Sequence, residues 1–405
     1  MNRRVITQMM LNKNVRRNFW ALHKKFSQSK EYKMKNMLRA GLNTIKNDRI
    51  VKHGEYYLVN SFLPPVNSAA FLNMAMQVPG EDEIFFTNHI IGKRLAPIST
   101  YVAVTNKCMY HCWHCSANKS ITSAKQNSQS DFTTKELLTI VEELQRLGVG
   151  IIGFTGGEPL LRKDLEQIIA SIQPSSTSFI FTTGFQLTYE RALSLKEAGL
   201  FGIAISIDSI DSKRHDMMRG YDGAYHHGIM GIRNAKKAGL YTMSQTVCTK
   251  ELMDSNEIFE LAKMLKDEGI DEMRIMEPMP CGKIEADSDA VLSFGDQQKL
   301  KDIHIVLNRD KRYPKTSVFP YVESREQFGC GAGSQHSYID AKGNFGPCDF
   351  LGINYGNVFK EDIKEIWERM HEKMGKPKCT CYAKEITNDD WDLPDFYLLL
   401  GGNKK

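Results

Sequence analysis

A chain of 405 residues, 41% hydrophobic and 25% charged, is long enough for two or three domains with buried cores, and its composition excludes a fibrous or disordered chain. Its formal net charge of +5 is small for this size and gives no ground to expect a nucleic-acid partner. No run of about eighteen apolar residues offers a transmembrane helix, and the start lacks the compact apolar run of a secretory signal, so a cytoplasmic location is expected. In that reducing compartment nine cysteines point to metal or redox chemistry before disulfides.

The first fifty residues carry thirteen Lys or Arg against two acids, Glu31 and Asp48. Val5, Ile6, Met9, Met10, Val15, Phe19 and Trp20 recur there at roughly helical spacing. A basic helix packed on the body of the protein is the plain reading; a helix lying on an anionic membrane is the sharper one, so peripheral membrane contact through residues 1–50 stays open. A strand-like run, Tyr56–Phe62, ends at Pro64 and Pro65, and residues 1–97 as a whole read as a mostly helical extension.

From 98 to 318 the pattern turns regular. β-rich runs at Thr100–Thr105, Gly150–Thr155, Ser178–Thr183, Gly202–Ile207, Tyr241–Val247 and Glu272–Met276 alternate with helix-like stretches such as Thr134–Leu147, Leu165–Ile172, Ala224–Ala238 and Ser255–Glu268. Such alternation demands a parallel sheet with helices packed outside it, an α/β fold. Six units fit a partial (β/α)6 TIM-like barrel, although an open doubly wound sheet shares the periodicity; in both, ligands belong at the carboxyl ends of the strands.

Directly after the first of these strands comes Cys108-Met109-Tyr110-His111-Cys112-Trp113-His114-Cys115. Three soft thiolates at CxxxCxxC spacing can wrap one corner of an iron–sulfur cubane and leave one iron without a protein ligand. A structural zinc site with His111 or His114 as fourth ligand is the alternative. Strand two ends in Gly156-Gly157-Glu158-Pro159, where adjacent glycines permit close backbone approach to a ligand and Glu158 can accept hydrogen bonds from an ammonium group.

Together these segments resemble the radical S-adenosylmethionine (SAM) superfamily. The resemblance implies a site-differentiated [4Fe–4S] cluster on Cys108, Cys112 and Cys115, whose open iron is chelated by SAM. It also implies reductive cleavage of SAM to a 5′-deoxyadenosyl radical that abstracts hydrogen from substrate. Under it His114 takes the aromatic position beside the adenine, and Gly156, Gly157, Glu158 and Pro159 form the motif that holds the SAM amino group. Ile205-Ser206-Ile207-Asp208 resembles the family's fourth-strand run, with Ser206 and Asp208 at the barrel mouth near the ribose or carboxylate of SAM. Arg219 matches the arginine that pairs with the SAM carboxylate. Thr183 stands where the family often has asparagine. Arg274–Gly282 resembles the family's sixth-strand run beside SAM and substrate. Cys248 and Cys281 lie outside these patterns and read as packing residues.

Beyond 319 the alternation stops. Cys330, Gly343 and Cys348 stand in a C-x12-G-x4-C arrangement with strand–turn–strand character, and Cys379 and Cys381 follow. Residues 319–405 thus resemble the SPASM and twitch extensions of radical SAM enzymes, small cysteine-rich domains that carry auxiliary [4Fe–4S] clusters. Four cysteines imply one such cluster, although the CxC ending departs from the commoner CxxC and a structural zinc site built from four cysteines shares the ligand count.

The whole reads as an enzyme acting on a peptide, a small molecule or a lipid, with a reductant such as flavodoxin or ferredoxin as partner. A non-catalytic iron–sulfur or zinc protein that only binds a partner is the alternative reading.

Overall fold

The computed structural model describes residues 3–27, 41–42, 44–79, 84–86, 91–118, 131–285, 287–324 and 327–385. The last twenty residues of the expected C-terminal domain therefore lie outside the described residues. Fourteen strands occur among those described: β1 (Val51–His53), β2 (Tyr56–Leu58), β3 (Ile84–Phe86), β4 (Ile91–Gly92), β5 (Ser99–Thr105), β6 (Ile151–Gly156), β7 (Thr177–Thr182), β8 (Gly202–Ser206), β9 (Tyr241–Val247), β10 (Glu272–Met276), β11 (Lys315–Val318), β12 (His336–Ile339), β13 (Asn344–Gly346) and β14 (Gly356–Asn357).

All six expected strands are present as β5 to β10, each parallel to the next. A seventh parallel strand, β11, pairs with β10. The sheet does not close. Its order is β11-β10-β9-β8-β7-β6-β5-β12-β13-β14, so the edge of β5 is taken by β12, in parallel, and not by β11. The curved sheet is thus a partial barrel, and the C-terminal hairpin extends it. Gly343 lies at the turn of that hairpin with φ of +84°, a conformation that favours glycine.

Local chemistry sets the helices. In Thr134–Leu147, Thr133 and Glu136 form a reciprocal capping box at the start, and Gly148 ends the helix in the left-handed conformation. Leu137, Ile140, Val141 and Leu144 recur at helical spacing and are fully or almost fully buried. Each such side chain contributes about 1.5–3 kcal/mol by leaving water. The helices Leu165–Ala170, Ala224–Lys237 and Glu257–Asp267 lie within a few residues of their expected positions.

Alternation along the strands sorts the side chains. Val102, Val104, Ile152, Phe154, Ile203, Ile205, Met273 and Ile275 point outward into the helix-packed core. The opposite faces point into the barrel. At its floor Ile151, Phe179, Ala204, Tyr241 and Met243 pack around Leu58, which is fully buried. The hairpin β1–β2 is therefore a plug beneath the sheet. The strand expected over Tyr56–Phe62 stops at Leu58, and beyond it Ser61 donates from N and Oγ to the buried carboxylate of Glu272 at 3.3 and 3.0 Å.

The basic N-terminus forms two helices, Arg3–Leu11 and Lys13–Phe26. Met9, Val15, Leu22 and Phe26 are buried against Ile50, Tyr57, Phe71 and Ile98, while Met10, Leu11 and Trp20 are exposed. Most of the apolar stripe is thus committed to the body of the protein. No helix among the described residues is long and apolar enough to cross a membrane.

Candidate functional site

The loop after β5 carries Cys108, Cys112 and Cys115 over the carboxyl ends of the strands, where all three line one cavity with His114, Gly156, Gly157, Ser206 and Arg219. Backbone bonds pin the loop from three sides. His111 and Trp113 donate to the carbonyls of Arg219 and Met218 at 3.0 and 3.1 Å. Gly157 and Glu158 donate to Thr105 and Lys107 at 2.7 and 2.8 Å, and Lys283 donates to Cys115 at 3.2 Å.

These contacts explain two glycines. A Cβ on Gly157 would stand 2.1 Å from the Lys107 carbonyl oxygen. One on Gly282, whose φ is +59°, would stand 2.1 Å from that of Cys115. The loop can lie this close only against bare backbone. Gly282 ends the Arg274–Gly282 run already singled out in sequence, whereas Lys283, which also donates from Nζ to the His111 carbonyl at 2.8 Å, is a clamp just outside that run, about 170 residues from the loop it holds.

The expected SAM-contacting residues divide into two groups. His114, Gly156, Gly157, Ser206 and Arg219 line the cavity, whereas Glu158, Pro159 and Asp208 stand behind its wall. The Glu158 carboxylate is fully buried and taken up by the chain itself. Oε1 accepts from Thr182 Oγ1 and Leu160 N at 2.5 and 3.0 Å, and Oε2 from Thr183 N and Oγ1 at 2.8 and 2.7 Å. Those four bonds use the capacity of a carboxylate. Burial nevertheless pushes its pKa up, the hydrogen bonds opposing only part of the shift. Thr183, off the family's usual asparagine, supplies two of the four.

Asp208, expected at the barrel mouth, lies past the end of β8, where strand alternation no longer decides its direction. Its Oδ1 accepts from Val247 N at 2.9 Å and its Oδ2 is 2.7 Å from Arg219 Nη2. Arg219 in turn donates from Nη1 to Cys112 Sγ at 3.9 Å. Burial holds the His114 imidazole neutral, with its pKa down to about 3, and Arg219 adds to that effect.

A second cavity adjoins the first. Thr155, Phe181, Gln245, Met276, Asp349 and Phe350 line both. Its far wall holds Cys330, Cys348 and Cys381. Cys330 and Cys381 are buried, and a hydrogen bond between them lowers the pKa of Cys330 and raises that of Cys381. Glu323 lies with this pair, one ligand atom of each within 4.8 Å of the others, and His336 and Asp349 lie in the same way with Cys348. Cys379 is exposed and belongs to neither group. Three of the four expected C-terminal ligands are brought together; the fourth is not. Glu323, His336 and Asp349, which now stand beside these cysteines, carry no spacing signal in the sequence.

Cys108, Cys112 and Cys115 all line one cavity. Three soft thiolates there are a donor set that suits iron, and they fit a cubane with one iron left without a protein ligand.

Comparison with known proteins agrees. Residues 102–265 match the family described as the radical SAM superfamily, and residues 330–384 match SPASM, described as an iron–sulfur cluster-binding domain. An AdoMet-dependent heme synthase of Nitratidesulfovibrio vulgaris is 27% identical over 290 residues, 66% of this chain and 77% of that protein. A probable GTP 3′,8-cyclase of Pyrococcus abyssi is 30% identical over 162 residues, 40% of this chain and 51% of that protein. Among solved structures, SuiB of Streptococcus suis bound to the precursor peptide SuiA superposes with a TM-score of 0.57 at 17% identity, covering 70% of this chain and 67% of that one. Native anSMEcpe with bound AdoMet gives 0.55 at 19% identity, covering 68% and 83%.

Proposed function

Because this chain is a radical SAM enzyme with a SPASM-type iron–sulfur extension, we propose that it abstracts hydrogen from a substrate seated in the joined cavities between its two cysteine sets. The observation that carries this reading is the shared wall. Phe181, Gln245 and Met276 face both the CxxxCxxC loop and the chamber that holds Cys330, Cys348 and Cys381. When bound, the [4Fe–4S] cluster and SAM supply one-electron cleavage of the sulfonium and hence an agent that removes a hydrogen atom.

The chain's own residues hold and shield. In this proposal Cys108, Cys112 and Cys115 bind the cluster, and Gly156 and Gly157 present bare backbone to the methionyl part of SAM. His114, neutral, and Ser206 face its adenosine part. Arg219, held by Asp208, keeps positive charge beside the Cys112 sulfur. Glu158 and Pro159 set the shape of the glycine turn from behind. Cys330, Cys348 and Cys381 hold one auxiliary cluster, and Cys379 is not among the proposed ligands. Residues 98–318 form the catalytic barrel, 319–405 the auxiliary domain, and 1–97 a scaffold that closes the floor.

With Leu58 and Tyr241 sealing that floor, the substrate enters from the mouth, as a small molecule or as one side chain of a peptide. A one-electron donor such as flavodoxin or ferredoxin is the partner the chemistry requires. Reconstitution with iron and sulfide under anaerobic conditions, then dithionite and SAM, tests the reading. Formation of 5′-deoxyadenosine and methionine supports it; a colourless, zinc-loaded protein that leaves SAM intact overturns it.

A further inference from the structure

Arg274 occupies the inward position at the middle of β10, between Gln245 on β9 and Ser317 on β11. Its side chain lines the inner cavity and is 1% exposed. Three aromatic rings surround the guanidinium, with Phe62 and Phe181 centroids 4.9 Å and Phe319 5.5 Å from its central carbon. Rings attract the positive charge, but they offer no acceptor to the N–H groups on its edges.

Those edges are open. Among the described residues Nε and Nη1 have no hydrogen-bond partner, and Nη2 has only the Tyr101 hydroxyl at 3.5 Å. Among the described residues no carboxylate lies within ion-pair distance of it. Glu272, two residues earlier on the same face, is occupied elsewhere, accepting from Ser61, Tyr241 and Ser317. Buried arginine is ordinarily paired, because an uncompensated charge with unmet donors is costly away from water. This one is caged, aimed into a chamber, and left with one long bond to a hydroxyl as its sole acceptor among the described residues.

We propose that Arg274 is the subsite for a substrate carboxylate, held in the inner cavity between the two cysteine sets. The inference deepens the function proposed above and rests on it for the location of substrate. A planar guanidinium fork matches a planar carboxylate. The same lining argues against phosphate, since Arg274 is the only Lys or Arg among the described residues of this cavity and a dianion calls for a second cation. Phe62, Phe181, Phe319, Phe328 and Met276 supply apolar walls, so the group attached to the carboxylate is apolar, aromatic or extended hydrocarbon. Phe62 comes from the N-terminal region, which gives residues 1–97 a part in substrate selection.

The test uses the reconstituted holoenzyme under anaerobic conditions, with 3-phenylpropionate and its uncharged isostere 3-phenylpropionamide as probes in isothermal titration calorimetry. The carboxylate is expected to bind at least tenfold more tightly than the amide. Arg274→Met should remove that discrimination, and Arg274→Lys, which keeps the charge but not the fork, should retain part of it. Where Arg274→Met does not fold, by circular dichroism, the Lys variant and the wild-type ratio carry the result. Equal affinity for the two probes, no binding of either, or discrimination that survives in both variants overturns the assignment. Formation of 5′-deoxyadenosine by the wild type without either probe separately reads whether the radical SAM reading itself holds.

Discussion

Asp208 Oδ2 lies 2.7 Å from Arg219 Nη2 in a pair with almost no solvent exposure, and the far side of the same guanidinium touches the sulfur of Cys112. Burial alone would push Asp208 up, but the Arg219 guanidinium, with the Val247 N–H, keeps it below the usual carboxylate range. Removing one partner of such a pair leaves a buried charge uncompensated. Asp208→Ala is therefore expected to cost about 3–5 kcal/mol of stability. Urea unfolding of the apoprotein checks this, and a loss within error of zero would show that the pair is not dry.

Gly282→Ala places a methyl group 2.1 Å from the Cys115 carbonyl oxygen, at a φ of +59° that alanine disfavours. Backbone cannot yield as a flexible side chain can, so the cysteine loop must move. The variant is expected to lose the CxxxCxxC cluster while keeping the auxiliary one, roughly halving iron content if each site holds one cubane. Iron and sulfide analysis with EPR reads the outcome. Full iron content with an unchanged signal would show that the clamp is dispensable.

The loop and the glycine turn were legible because each is a contiguous motif, and β5 to β10 because apolar runs and glycine caps are local signals. Four features needed distant sequence. β11 is only four residues long and follows a helix, so it lacks a run of its own. Glu158 and Asp208 were placed on the cavity by motif, whereas Thr182, Thr183 and Arg219 draw their carboxylates behind the wall. The Arg274 cage draws rings from positions 62, 181 and 319. The floor plug, Leu58, looks in sequence like any strand residue.

That plug gives a direct measure of what the N-terminal region does. Leu58 is fully buried among Ile151, Phe179, Tyr241 and Met243. Leu58→Ala is expected to cost about 2–5 kcal/mol, the loss growing with the cavity left behind. A thermal shift against wild type measures it. A cost below about 1 kcal/mol would mean that the hairpin rests on the floor without sealing it.

Cys379 and Cys381 are separated by a single residue and sit in different surroundings, the first exposed and the second buried beside Cys330. Cys381→Ser should abolish the auxiliary cluster, with about four irons lost per chain, while Cys379→Ser should leave iron content unchanged. Equal losses in the two variants would place Cys379 in the ligand set after all.

Asp271 joins the plug to the barrel. Its Oδ2 lies 2.8 Å from Lys236 Nζ, accepts from Thr242 N at 2.9 Å and faces His53 Nδ1 at 3.7 Å. Burial acts to raise its pKa, yet His53, Lys236 and the Thr242 N–H together hold it below the usual carboxylate range. A folded-state pKa below the unfolded one means that the unfolded chain takes up the proton first on acidification. The stabilisation is thus fully present above the unfolded value of about 3.9 and is lost as pH falls through the folded value. Asp271→Asn is expected to be less stable than wild type by about 1–3 kcal/mol at neutral pH. The difference should shrink as pH drops below about 4, because the unfolded chain then takes up a proton that the folded carboxylate still resists, and it should be smallest below the folded value, where both states hold a neutral carboxyl. Urea midpoints of the two proteins at neutral pH and through the acid range decide the matter, and a gap that widens on acidification would mean that Asp271 does not carry its charge in the folded protein.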